Sequence, residues 1–165
     1  MDTATAGDEI SFRRLYERFA PRLYSYAYFR LGDAEAAKDL VQDVFTDVWR
    51  QLPRFDYRHP GAFSGWLFRI GHDAVVDRLR RRSWSVPLDE GHEGAVEFEG
   101  RVISRRLVIE LLEGISPLQR EVVVLRFIAG MTLAEVAGAL GKREGAIVQL
   151  QLRGLRRLRK ELARE

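Results

Sequence analysis

Apolar residues recur at intervals of three and four along nearly every segment of this chain, and no window sustains the every-second-residue alternation of a strand. That pattern restricts the fold to the all-α class. At the N-terminus Phe12, Leu15, Tyr16, Phe19, Leu23 and Tyr26 mark one face of a helix expected over residues 8–31, with Pro21 placed to kink or split it and Gly32 to end it. Asp33 is the expected N-cap of a second helix reaching residue 52. The breaker-rich PRFDYRHPG then separates it from a third helix over residues 60–82.

The next stretch, SWSVPLDEGHEGAVEFEGR, mixes glycine, proline and acid without helical periodicity, so it reads as a linker. The predicted organisation is two small helical domains, over 8–82 and 103–163, joined by a flexible acidic linker over 83–102. Four helices are expected in the C-terminal domain, the first over 103–113. SPLQ opens the second, with Ser116 as N-cap, Pro117 at the first helical position and Gln119 closing a capping box. TLAE, Thr132 to Glu135, opens the third in the same way. The third and fourth flank the glycine-bearing LGKREG and have the outline of a helix-turn-helix, whose second helix enters the major groove of DNA. Ala134, Ala137 and Ala139 are small enough to allow the close crossing such a pair needs.

Composition narrows the function. The absence of cysteine excludes disulfides, thiolate metal sites and thiol nucleophiles, and His59, His72 and His92 are too scattered to form a local metal motif. No cluster of catalytic residue types is visible, so neither an enzymatic site, a cofactor nor a small-molecule substrate is expected. No apolar run approaches a membrane span, and MDTATAGDEI lacks the basic and apolar regions of a signal peptide, which predicts a cytoplasmic protein without direct membrane insertion. The net charge of +3 is distributed as +2 over residues 1–82, −4 over 83–103 and +5 over 104–165. Basic blocks on both sides of an acidic bridge fit a nucleic-acid partner. Arginine supplies 24 of the 27 basic side chains, which favours bidentate phosphate and base contacts.

Three constellations carry this further. On the second helix Asp39, Asp43 and Asp47 stand at successive i, i+4 positions, an arrangement that costs roughly 0.2–0.5 kcal/mol per pair. A solvated face accounts for such a stripe, and so does docking to a basic protein partner with Trp49 as an aromatic anchor. On the third helix Phe63, Trp66, Leu67, Ile70 and Ala74 repeat as a core face, while Arg78 and Arg80 to Arg82 make a basic tail suited to single-stranded DNA. On the last helix, at 100° per residue, Gln149, Arg153, Arg156, Arg157 and Lys160 fall in one polar arc. Ile147, Leu155 and Leu158 are its expected core seam. Val148, Leu150 and Leu152 either thicken that seam or meet a partner.

The ordered set FRRLYERFAPRLYSYAYFRLGD, AAKDLVQDVFTDVW, FSGWLFRIGHDAVVDRLRRR and ISPLQREVVVLRFIAGMTLAEVAGALGKREGAIVQLQLRGLRRLRKEL resembles the bacterial sigma factors of the extracytoplasmic-function (ECF) subfamily over nearly the whole chain. The resemblance implies a subunit that binds core RNA polymerase, directs it to promoter DNA and helps melt it, without catalysis of its own, often under the control of an anti-sigma factor. It implies polymerase contacts at Asp39, Gln42, Asp43 and Trp49. It further implies minus-ten DNA contacts at Trp66, Arg69, His72, Asp73, Arg78, Arg80 and Arg81, and minus-thirty-five contacts at Lys142, Arg143, Gln149, Arg153, Arg156, Arg157 and Lys160. The linker would thread toward the RNA exit path.

Three positions depart from the family pattern. His72 and Asp73 replace a cation and an amide, Arg143 replaces a Ser or Thr N-cap, and Val148 and Leu150 stand where basic residues are frequent. A stand-alone helix-turn-helix regulator remains the alternative, although it leaves the aspartate stripe and the arginine-tailed third helix unused.

Overall fold

The computed structural model describes residues 2–85, 95–98 and 101–164. Its helices are α1 (Asp2–Leu31), α2 (Ala34–Gln51), α3 (Ala62–Ser85), α4 (Arg105–Glu113), α5 (Pro117–Phe127), α6 (Leu133–Leu140) and α7 (Glu144–Leu162). The all-α expectation holds, with one addition. Two four-residue strands, β1 (Ala95–Phe98) and β2 (Arg101–Ser104), pair antiparallel within the region read as an unstructured linker. Strands this short carry too few residues for a period to register. The rest of that linker, residues 86–94 and 99–100, lies outside the described residues.

Local chemistry explains most element ends. Gly32 takes a left-handed φ of 70° after α1. The Asp33 side chain accepts from the Ala36 N–H at 2.8 Å to start α2. Ser116 and Thr132 both form reciprocal capping boxes, with Gln119 and Glu135. Gly141, at φ 62°, ends α6 in the left-handed region that a side chain would strain.

Of the kink or split expected at Pro21, the split does not occur, and α1 runs through it. Both Pro21 and Glu17, whose carbonyl loses its i+4 donor, lie on the exposed face, where water can serve that carbonyl.

Helices α1–α3 build an N-terminal bundle around Leu23, Tyr26, Leu40, Val44, Val48, Leu67 and Phe68, all essentially fully buried. Helix α3 is buried on two sides. Phe63 and Leu67 were expected in the core, but Phe68 and Val75 are fully buried as well, Phe68 beside Tyr26 and Arg22 of α1, and α6 packs on α3 too. In the C-terminal bundle Val122, Val124, Leu125, Met131, Val136 and Ile147 form the centre. Ala137 and Ala139 of α6 are buried, and two further close crossings rest on glycine. Gly154 of α7 lies against Gln119 and Val123 of α5, where an added Cβ would stand 3.4 Å and 3.5 Å from side-chain carbons. Gly138 of α6 lies against Gly65 of α3, where an added Cβ would stand 3.4 Å from the Gly65 Cα.

Candidate polymerase and nucleic-acid interfaces

Helix α2 buries Ala37, Leu40, Val41, Val44, Phe45 and Val48 and turns Asp39, Gln42, Asp43 and Asp47 to solvent. Trp49 stands at the edge of this acidic face, 41% exposed, with its ring 4.8 Å from that of Phe12 in an edge-on contact. Half of the indole is therefore anchored and half is available. Asp43 is also drawn toward the third helix, since Arg78 donates to it at 2.6 Å.

On α3, Trp66 is half-buried, stacked on Phe55 at 4.6 Å and edge-on to Phe63 at 5.8 Å. Phe55 comes from the loop after the 3-10 turn Leu52–Arg54, so the aromatic group joins that loop to α3. Arg69 and Asp73 are exposed, and Arg80 and Arg81 both pair with Asp77, at 2.9 Å and 3.0 Å. Arg82 departs from the basic tail: it donates at 2.6 Å to the Leu31 carbonyl at the end of α1.

His72 lies differently from its neighbours. Its Nδ1 is 2.9 Å from Glu121 Oε1, and because a carboxylate only accepts, Nδ1 carries the hydrogen. The Tyr26 hydroxyl donates to the same oxygen at 2.5 Å, and Arg30 pairs with Oε2. Burial pushes the Glu121 carboxyl up, but the His72 hydrogen bond, the Arg30 charge and the Tyr26 hydroxyl outweigh it and hold the group below its ordinary range. Burial and the Glu121 charge together push the Tyr26 phenol well up. Nothing in the spacing of Tyr26, Arg30, His72 and Glu121 signals this cluster, which joins residues up to 95 positions apart.

Helix α7 presents three faces. Ile147, Leu150, Gly154 and Leu158 face the core, while Gln149, Arg153, Arg156, Arg157 and Lys160 lie exposed on the opposite side. Between them runs an apolar strip of half-buried Val148, Leu152 at 41% exposure and Leu155 at 36%. Leu155 is thus not in the core seam, which is centred on Ile147, Gly154 and Leu158 instead. A glycine at the crossing draws α5 close and rotates Leu155 outward.

Lys142 and Arg143 are exposed at the turn. Arg143 offers no side-chain cap, and its carbonyl accepts from the Ala146 and Ile147 amides, the first bonds of α7. Arg126 of α5 fixes this unit by donating to Gln151 of α7 at 2.9 Å and to the Met131 carbonyl before α6.

Among the described residues no helix is long and apolar enough to cross a membrane, and no group of three or more potential metal ligands is present.

An acidic helix face, an arginine-bearing helix beside an aromatic loop, and a helix-turn-helix with an exposed polar arc fit a DNA-binding transcription initiation factor, the class to which the family comparisons assign the chain. The sequence models of Sigma-70 region 2 and Sigma-70 region 4 match residues 15–85 and 111–160. The chain is 32% identical to the ECF RNA polymerase sigma factor SigD of Mycobacterium bovis, over 96% of its own length and 80% of SigD's. It is 31% identical to the ECF RNA polymerase sigma factor BldN of Streptomyces coelicolor, over 96% of this chain, and spans 62% of BldN's length. Its fold is similar to CnrH in the complex of CnrH with the cytosolic domain of CnrY, with a TM-score of 0.71 and 27% identity over 99% of this chain and 95% of CnrH. The chain belongs to the ECF RNA polymerase sigma factors.

Proposed function

We propose that this chain binds core RNA polymerase through α2, captures the melted minus-ten strand with α3 and the preceding aromatic loop, and reads the minus-thirty-five duplex with α7. The polymerase face is Asp39, Gln42, Asp43 and Trp49. Trp66, Arg69, His72, Asp73, Arg78, Arg80 and Arg81 meet single-stranded DNA. In the major groove Gln149 and Arg153 reach base edges, while Lys142, Arg143, Arg156, Arg157 and Lys160 meet mainly phosphates. The division 8–82, 83–102 and 103–163 separates these tasks. The chain performs no catalysis of its own, and it works in the cytoplasm where polymerase and promoter are found.

The observation that carries this reading is the exposure of the α2 acidic face and the α7 polar arc, on the segments that match regions 2 and 4. Run-off transcription with core polymerase on a genomic promoter library tests it. Chain-dependent transcripts from a defined promoter set are the expected result, and duplex binding without any transcript would favour the stand-alone regulator.

An anti-sigma factor controls the chain in this reading, as CnrH is held in complex with the cytosolic domain of CnrY. The strip of half-buried Val148 and exposed Leu152 and Leu155 beside the DNA-reading arc is the surface it would cover. Leu152→Glu leaves the core untouched and should weaken the candidate partner's binding at least tenfold, measured by titration calorimetry. Unchanged affinity would move that partner elsewhere.

A further inference from the structure

Helix α3 exposes few side chains between its start and Arg80. Arg69, Asp73, Val76 and Arg80 are the exposed ones, and every other residue over 62–80 is buried or half-buried. At 100° per residue these four fall within about 60° of one another, so they form one narrow ridge. At 1.5 Å per residue about 16 Å separates Arg69 from Arg80, with Asp73 and Val76 between them. The order along the ridge is cation, carboxylate, apolar side chain, cation. His72 is not part of it, because its ring is turned to Glu121.

Asp73 is the member of this row that the helix itself does not account for. Among the described residues it makes no ion pair, whereas Asp77, one turn on, takes both Arg80 at 2.9 Å and Arg81 at 3.0 Å. Arg69 stands one turn earlier without pairing to Asp73, and Asp77 at i+4 is a like charge that repels it. An exposed carboxylate so placed stabilises nothing in the free chain.

A single nucleic-acid strand along the ridge gives it a task. Phosphates drawn to Arg69 and Arg80 are repelled by Asp73, so the strand must turn a base toward the carboxylate between them. A carboxylate only accepts, and a pair of parallel donors suits it best. Among unpaired bases, guanine presents two adjacent donors, N1–H and N2–H, on the edge that pairing would otherwise occupy. Cytosine and adenine set a ring acceptor beside their amine, and thymine flanks its one ring N–H with two carbonyls. Val76, 44% exposed and about 4.5 Å further along the axis, offers that base an apolar surface.

We infer that Asp73 sets specificity in the minus-ten strand by accepting N1–H and N2–H from one unpaired guanine that lies on Val76, between phosphates held by Arg69 and Arg80. The inference rests on the reading of α3 as the strand-capturing helix and names the base that this helix selects.

Open-complex formation by the full chain with core polymerase tests it. The templates are promoters that run-off transcription yields, substituted one position at a time in the minus-ten strand, each both fully paired and mismatched across that element so that duplex stability does not enter. At one position of the mismatched templates guanine should be preferred. Hypoxanthine, which lacks the N2 amine, and 2-aminopurine, which lacks the N1–H, should each lower occupancy there about tenfold. Asp73→Ala should bring the three bases to within about twofold of one another and leave the salt slope unchanged, since Asp73 meets no phosphate. Arg69→Ala should do the reverse, weakening binding alike for all three and lowering the salt slope by about 1. Both variants should keep wild-type helical circular dichroism, because both side chains are exposed and neither has a described ion pair. A guanine preference that survives Asp73→Ala overturns the assignment, as does a wild type without one. A cytosine preference confined to the paired templates and lost in Asp73→Ala also overturns it, since a carboxylate accepts from cytosine N4 in the major groove of a duplex. A wild-type chain that forms open complexes on no promoter faults the promoter-binding reading, and the assignment falls with it.

Discussion

Glu121 shows how a single side chain can hold two halves of a protein together and make their union sensitive to acid. It is buried, yet two hydrogen-bond donors and an arginine favour its charged form more than burial opposes it, so its carboxyl titrates below the ordinary glutamate range. Glu135 follows the same logic: burial raises it, and the Thr132 amide, Ser64 and Arg22 bring it down. In both cases the folded chain binds fewer protons than the unfolded chain as pH falls through the ordinary glutamate range. The stabilisation is therefore complete above that range and is lost as pH drops through the lowered folded values. Urea unfolding across this window should show a steep loss of stability in wild type and a shallower one in Glu121→Gln, which has no carboxylate to protonate there. Equal slopes would show that Glu121 is not held in its charged form. At neutral pH, Arg30→Met should cost about 1.5–3 kcal/mol, because it leaves a buried carboxylate short of its cationic partner. Tyr26 was legible in the sequence only as an apolar position; its hydroxyl's partner, 95 residues away, was not.

At the scale of the helix, what depends on neighbours three or four residues apart was readable, and what depends on distant packing was not. The capping boxes at Ser116 and Thr132, the Asp33 cap and the Gly32 stop are all local and all present. The course of α1 through Pro21 depends on which face of the helix meets solvent, and the outward turn of Leu155 depends on the α5 crossing at Gly154. Periodicity alone settles neither. The start of α7 offers a direct test of local chemistry, since Arg143 makes no side-chain cap. Arg143→Ser should stabilise the DNA-free protein by about 1 kcal/mol, seen as a rise in the urea midpoint at unchanged slope. No gain would mean that α7 is held by Ile147 and its core neighbours regardless of its cap. The exposed arc makes a second test. Arg156→Ala should weaken minus-thirty-five binding similarly across promoter sequences and lower the salt slope by about 1, whereas Arg153→Ala should cost about 1–3 kcal/mol at one base pair and relax the preference there. Electrophoretic titration of a promoter and its single-base variants at two salt concentrations separates them, and identical profiles would dissolve the division between base and phosphate contacts.

Across the whole molecule the two halves have opposite demands placed on them: they pack on each other through α3 and α6, yet each carries a surface proposed for a separate partner. The sequence pattern showed both exposed polar stripes, because those on α2 and α7 recur at helical spacing. It could not show the packing between the halves, because Arg22, Glu121 and Glu135 are ordinary charged residues until the fold brings them together. The α2 face is the surface whose role can be isolated most cleanly. Asp43 is 70% exposed, and its one described ion pair, to Arg78, is of the surface kind that contributes roughly 0–1 kcal/mol. Reversing its charge should therefore leave the fold intact while presenting a cation to a basic partner, a juxtaposition that costs several kcal/mol at an interface. Asp43→Arg should abolish co-purification with core polymerase while keeping the wild-type thermal midpoint to within a few degrees. The double variant Asp43→Arg with Arg78→Glu restores the local pair but not the acidic face, so it should fail to recover polymerase binding. Recovery by the double variant would show that the Asp43–Arg78 pair itself, and not the charge of the α2 face, is what polymerase association requires.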